Sequence, residues 1–253
     1  MPQSEPGRRV NAHLRSLQCL ADGRIPRADF HMHTTWTDGE NSVSDMYKQA
    51  VGHGIERILF SEHARKTSGD WFPKFAAEVR ALPKQPCEAL VGVECKVESF
   101  DGKLDVSENI RHACDLVMAS VHRFPGETVV KPGAESGYSR AEAVETEFRL
   151  AMAALRNPGV DILGHPFGMC YRRFGIAPPP DLVRELIRES ARTGVAFEIN
   201  ARYHPNPREL VDWCVADGAV VSLGSNAHKP EEIGRITRIL LGQEEPWSPS
   251  ELQ

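Results

Sequence analysis

Asp29-Phe30-His31-Met32-His33-Thr34-Thr35-Trp36-Thr37-Asp38-Gly39 gathers several metal-capable side chains within eleven positions. It follows Ile25-Pro26-Arg27-Ala28 and reads as a first short strand, about 28–32, with its outgoing loop. Strand side chains alternate between faces, so residues i and i+2 point the same way. His31 and His33 are therefore expected to face one metal ion, with Asp29 on the same face. The loop carries Asp38, whose oxygens can reach a neighbouring ion. Imidazole suits zinc, iron or manganese, and added carboxylates suit a hydrolytic site with several ions.

Outward from this stretch, apolar runs alternate with helical periodicity. Strands are expected at about 28–32, 55–60, 89–93, 116–120, 160–163, 195–199 and 219–223. Between them, helical patterns start at the Ser42 cap and run over about 71–82, 106–113, 140–156, 181–193, 207–217 and 230–241. Segments 123–137 and 166–180 read as irregular loops, and Lys131, Tyr138 and Arg140 are candidates for a lid. Short apolar strands, each followed by a helix, mean a parallel sheet covered on both faces.

Every strand ends in a polar or metal-capable residue: His31 and His33, His63, Glu94, His122, His165, Glu198, then Asn226 and His228. An open sheet concentrates its site at one switch point. A barrel gathers all strand ends around one mouth. The pattern favours an α/β barrel of seven strands in a single domain, 1–253, with its core at about 28–240. Residues 1–24 form an N-terminal segment with a short amphipathic helix (Val10, Leu14 and Leu17 on one side), and 242–253 a polar tail.

The chain has 253 residues, 41% hydrophobic and 26% charged, enough for one large core. The net charge of −5 lacks the basic footprint of a duplex nucleic-acid binder. A nucleotide remains open as substrate, because a metal cluster supplies local positive charge. Six cysteines without Cys-x-x-Cys spacing are expected to be reduced. The first nine residues lack an apolar signal core, and no apolar stretch reaches spanning length. A cytoplasmic location without a membrane partner is the expectation; no protein partner is named by the sequence.

Taken as a set, these motifs resemble the PHP (polymerase and histidinol phosphatase) superfamily, over roughly 28–240. They are Asp29-x-His31-x-His33 with Asp38-Gly39, Ser61-Glu62-His63, Gly92-Val93-Glu94, Ser120-Val121-His122, Leu163-Gly164-His165-Pro166, Glu198-Ile199-Asn200 and Gly224-Ser225-Asn226-Ala227-His228. The resemblance implies a distorted (β/α)7 barrel binding two or three divalent ions (Fe, Mn or Zn). It implies one ion held by His31, His33, Glu94 and Asn226, and a second sharing Glu94 with His122 and His165. The third would sit on Asp38, His63 and His228. Asn226 departs from the family, which usually has Asp there; its amide brings no charge and should bind the first ion more weakly.

Hydrolysis of a small phosphomonoester (histidinol phosphate, a nucleotide or a sugar phosphate) by metal-activated water is the expected function. His31, His33 and Glu94 are expected at the reacting centre, and Glu198, His204 and Glu62 are candidates for proton transfer. Arg123, Arg172, Arg173 and Arg202 lie in loops on the catalytic side and suit bidentate phosphate contacts. Trp36, Trp71, Phe124, Phe167, Tyr171 and Tyr203 are candidates for an apolar wall. Alternatives are an amide or lactone hydrolase and a non-catalytic metal-binding regulator. With no further domain in these residues, a polymerase-associated proofreading role is not expected.

Overall fold

The computed structural model describes residues 10–127 and 137–248, without the side chains of 15–18. Leu17, as a side chain, and Lys131 lie outside the described residues, as do residues 1–9. Seven parallel strands run in sequence order: β1 (Ala28–Met32), β2 (Arg57–Glu62), β3 (Glu88–Lys96), β4 (Leu116–Ser120), β5 (Ile162–Gly164), β6 (Ala196–Asn200) and β7 (Val221–Gly224). The helices are α1 (Val43–Gly52), α2 (Phe72–Arg80), α3 (Glu108–Ala113), α4 (Arg140–Arg156), α5 (Gly168–Arg172), α6 (Pro180–Thr193), α7 (Pro207–Asp217) and α8 (Arg235–Leu240).

The sheet is wrapped nearly into a closed barrel. Ala28, Phe30, Leu59, Leu90, Leu116, Met118, Ile162, Ala196 and Val220 form one small apolar cluster. Residues from every side of a seven-stranded sheet meet in this way only if the sheet curls on itself. Leu14, on a 3₁₀ helix at Ala12–Asp22, plugs the floor of that cluster. Closure comes at the other end, where His33 N donates to Ala227 O (2.8 Å) and Ala227 N to His31 O (3.2 Å). The outer core packs the helices on the sheet: Val43, Met46, Tyr47 and Ala50 form the buried face of α1, as its periodicity predicts.

β1 contains a bulge. Asp29 pairs with Ile58 and Met32 with Phe60, so β1 advances three residues where β2 advances two. Ser61 fills the gap, its hydroxyl taking Met32 N and donating to Met32 O, both at 3.2 Å. The extra residue takes Asp29 off the face that the histidines share. Its carboxylate accepts instead from the backbone N–H groups of Ser225 (2.9 Å), Gly234 (2.8 Å) and His31 (3.3 Å). Simple alternation cannot foresee this, because a bulge breaks the two-residue period.

Other differences have local causes. β2, β5 and β7 start about two residues later than their apolar runs suggest, and Ser61, Glu62, Gly164 and Gly224 are pulled into the ladder. The irregular 166–180 loop contains α5, capped by the buried Glu147 of α4, which accepts from Met169 N (3.0 Å) and Cys170 N (2.7 Å). The last helix is broken at Gly234, whose φ of 74° is left-handed; a 3₁₀ turn at Pro230–Glu232 precedes it. In the tail, Trp247 is buried against Tyr171. All six cysteines are free.

Candidate metal centre

At the C-terminal ends of the strands, six histidines and two carboxylates converge. Glu94, at the end of β3, is buried at the centre. Its Oε1 lies 3.0 Å from His122 Nε2 and 2.8 Å from His165 Nε2. Its Oε2 faces His31 Nε2 (3.3 Å), His33 Nε2 (3.5 Å) and His63 Nδ1 (3.2 Å). One carboxylate thus divides the cluster into two sets of nitrogens. Asp38 makes a third focus, its Oδ2 lying 3.5 Å from His63 Nε2 and 3.4 Å from His228 Nε2. Three triads bring donor atoms close enough to share an ion: His31–His33–Glu94, His33–Asp38–His63 and His63–Glu94–His122.

The donor set fits divalent ions on a further ground. Glu94 Oε2, His33 Nδ1 and Asn226 Oδ1 are buried without a hydrogen-bond partner. Buried polar atoms are ordinarily satisfied. Three orphans in one cluster mark a place where cations complete the bonding.

The protons of this cluster are unusual. Burial works against ionising Glu94, but His122, His31 and His63 overcome it and hold the carboxyl well below its ordinary range. Burial likewise opposes protonation of His31, yet Glu198 and Glu94 raise it well above its ordinary value. For His33 burial wins, reinforced by His63, and its pKa falls well below.

Around this cluster stands a buried frame. Glu198 uses both oxygens: Oε1 lies 2.8 Å from His31 Nδ1 and accepts from Asn200 Nδ2 (2.9 Å), while Oε2 accepts from His165 N (2.5 Å). A carboxylate behind a ligating imidazole fixes its orientation and basicity. Glu198, fully buried and engaged through both oxygens, is not among the residues that line the cavity and stands as a positioning group. Gly224 makes room for it: a Cβ there would meet Glu198 Oε1 at 1.9 Å.

His204 is also withdrawn from the reaction space. Its Nδ1 accepts from Asn200 N and its Nε2 donates to Pro166 O, both at 3.0 Å. Burial drives its pKa down to about 4, so the ring is a neutral strut between the loops after β5 and β6. Glu62 accepts from Thr34 N (2.8 Å) and Thr34 Oγ1 (2.6 Å) and from Thr37 Oγ1, which shapes the loop that carries Asp38.

A cavity of about 760 Å³ opens onto the cluster, lined by Asp38, His63, Glu94, His122, Asn226 and His228. Of the four arginines expected there, Arg123 and Arg202 line it, and Arg202 Nη1 sits 3.1 Å from His228 Nδ1. Arg173 instead grips Glu127 with two bonds (2.8 and 2.7 Å), and Arg172 lies over the Trp247 ring, 5.2 Å from its centre. Of the expected aromatic wall, Tyr203 lines the cavity and stacks on His165 at 4.3 Å. Phe124 and Phe167 belong to the buried core, and Trp36 stacks on Trp71.

Arg65 and Lys96 also line the cavity without having been singled out in the sequence. A signal existed for both. Arg65 stands two residues beyond His63, and Lys96 stands two beyond Glu94 on the same strand, hence on the same face.

Comparison with known proteins agrees with this geometry. The chain is 30% identical over 215 residues to the Bacillus subtilis DNA polymerase/3'-5' exonuclease PolX, a match covering 81% of this chain and 34% of that protein. It thus spans about a third of that relative's length. It is 25% identical over 234 residues to a probable phosphatase of Acetivibrio thermocellus, covering 88% of each. Among solved structures, the histidinol phosphate phosphatase of Lactococcus lactis, complexed with zinc, L-histidinol and phosphate, shares the fold. Its TM-score is 0.63 at 21% identity, with 88% of this chain and 97% of that chain covered. The PHP domain matches residues 29–202, a span that runs from the β1 histidines to the arginine after β6. With that match joined to a near-closed seven-stranded barrel and histidine–carboxylate clusters at its mouth, the chain belongs to the PHP domain family.

Proposed function

We propose that this protein is a metal-dependent phosphoesterase that hydrolyses a small phosphomonoester. The observation that carries this reading is the Glu94 carboxylate, one oxygen among His122 and His165 and the other among His31, His33 and His63. Two or three divalent ions (Fe, Mn or Zn) fit this donor set. In this reading His31, His33, Glu94 and Asn226 hold the first, Glu94, His122 and His165 the second, and Asp38, His63 and His228 the third.

When bound, such ions supply Lewis acidity toward phosphoryl oxygens and lower the pKa of a water. The chain's own residues do the rest. Glu198 keeps the His31 ring turned toward the cluster, and His204 keeps the two flanking loops in register. Arg202 orients the reacting phosphate from the cavity wall, where a planar guanidinium matches two phosphate oxygens, and Arg123 contacts the substrate from the neighbouring sector. Similarity to a probable phosphatase of comparable length supports the same class.

The test is a panel of phosphomonoesters, with lactone and amide substrates alongside, on protein reconstituted with Mn, Zn or Fe and checked by elemental analysis. The expected result is two or three ions per chain, turnover of phosphate esters, inhibition by inorganic phosphate, and a loss of at least about a hundredfold in Glu94→Gln. Metal-loaded protein that turns over only lactones or amides would overturn the reading. So would protein that takes up no metal after supplementation, which points to a regulator.

A further inference from the structure

Outside the ligand cluster, Arg65, Lys96 and Arg123 line the same cavity. Arg65 follows β2, Lys96 ends β3 and Arg123 follows β4, and these strands are neighbours in the barrel. The three cations therefore share one sector of the mouth, while Arg202 stands after β6, beside His228. Nearby basic residues are bound to acids: Lys66 pairs with Glu98, and Arg173 with Glu127. Among the described residues, Arg65, Lys96 and Arg123 pair with no carboxylate within 4.0 Å. Glu127, whose field reaches Arg123, is itself held by Arg173. Beyond the ligands Asp38 and Glu94, Asp105 is the one acid among the lining residues, and it accepts from Lys66 N at 3.4 Å.

The charge of this mouth exceeds what a simple phosphate ester can answer. A phosphomonoester brings roughly −1.5 to −2 near pH 7. Only two carboxylates belong to the ligand set, and Asn226 contributes none. Divalent ions there, together with Arg202, already meet the charge of the reacting phosphate. Arg65, exposed at the rim, and the half-buried Lys96 and Arg123 set three further cations against the single further carboxylate of Asp105, and among the described residues none of the three is paired, an excess of positive charge that a second anion would answer. A cationic leaving group would meet like charge, which costs affinity and is a common device for excluding a ligand.

We infer that the preferred substrate is a phosphomonoester whose leaving group carries a second anionic group, which Arg65, Lys96 and Arg123 hold. This rests on the phosphoesterase reading. The second anion is a phosphate or a carboxylate, since the same three side chains recognise both.

The experiment compares kcat/KM of the metal-reconstituted protein on four probes. Fructose 1,6-bisphosphate carries a second phosphate, 3-phosphoglycerate a carboxylate, phenyl phosphate no second charge, and phosphocholine a cation. At least one of the first two is expected to exceed phenyl phosphate tenfold or more, with phosphocholine the poorest. Whichever leads identifies the second anion. Lys96→Met and Arg65→Met are each expected to lower the ratio of the leading probe to phenyl phosphate at least fivefold, mainly through KM. If phenyl phosphate or phosphocholine is turned over as well as both anionic probes, this inference fails while the phosphoesterase reading stands. If the variants slow all probes by one factor, the cations only steer anions, and the inference fails. If no phosphate ester is hydrolysed, both readings fall together.

Discussion

Asn226 occupies the left-handed region, with φ of 52°, where asparagine is one of the few residues other than glycine that sits readily. Its buried Oδ1 has no partner. A carboxylate there would add the charge that the first-ion set lacks. Asn226→Asp is expected to tighten the weakest-bound ion at least about tenfold, about 1.4 kcal/mol, as read by calorimetric metal titration. An unchanged isotherm would remove Asn226 from the ligand set. Glu198 offers a second test. Gln at 198 keeps the shape but turns one acceptor into a donor facing His31 or His165 N. A fall of about 10–100-fold in metal affinity or activity is expected, the usual cost of losing a carboxylate behind a ligating histidine. Most of the residues that converge at the mouth were legible in the sequence because a strand end is a fixed place. The roles of Glu198 and His204 were not, because their partners, His31 and Pro166, lie 167 and 38 residues away.

At the scale of elements, the helix after β5 hangs on one buried acid. Glu147 caps α5 from α4, and burial pushes its pKa from the ordinary 4.5 up to about 7. In the folded state it therefore keeps its proton to higher pH than in the unfolded chain. The sign follows: its contribution to stability is fully present below about pH 4.5 and is lost as pH rises through about 7. Each unit of that shift is worth about 1.4 kcal/mol at most. Glu147→Gln lacks the titration. The stability difference between wild type and variant, measured by urea unfolding, is expected to shrink by roughly 1–3 kcal/mol between pH 5 and pH 8. A constant difference would mean that Glu147 does not titrate in that window. Helices were well read from periodicity: Arg140–Arg156 and Pro207–Asp217 match their predicted spans. α5 was missed because its cap comes from another helix, and the last helix was over-extended because nothing in its apolar pattern marks Gly234 as a break.

For the whole molecule, closure and metal are linked. The barrel seam passes through the metal-site strands, since His31 and His33 hydrogen-bond to Ala227 across it. Asp29 reinforces that seam by holding three backbone N–H groups, from β1, the loop after β7 and the start of α8. Asp29→Ala is expected to cost about 3 kcal/mol or more, because buried donors left unpaired cost roughly 1–3 kcal/mol each; denaturant unfolding reads this directly. Stripping the metal with a chelator is expected to lower Tm by roughly 8–16 °C. A ligand at a thousandfold excess over its Kd stabilises by about 4 kcal/mol, and a chain of this size moves about 2–4 °C per kcal/mol. A Tm indifferent to chelation would mean that no ion bridges the seam. The sequence alone determined the barrel and the ring of metal-capable side chains at its mouth, because the two-residue and 3.6-residue periods and the strand-end positions are local properties of the chain. Only the tertiary structure decided where Asp29 points, which arginines reach the cavity, and what Glu198, His204 and Glu147 support. Those outcomes depend on a bulge, on competing ion pairs and on partners brought close by folding, none of which leaves a spacing to read along the chain.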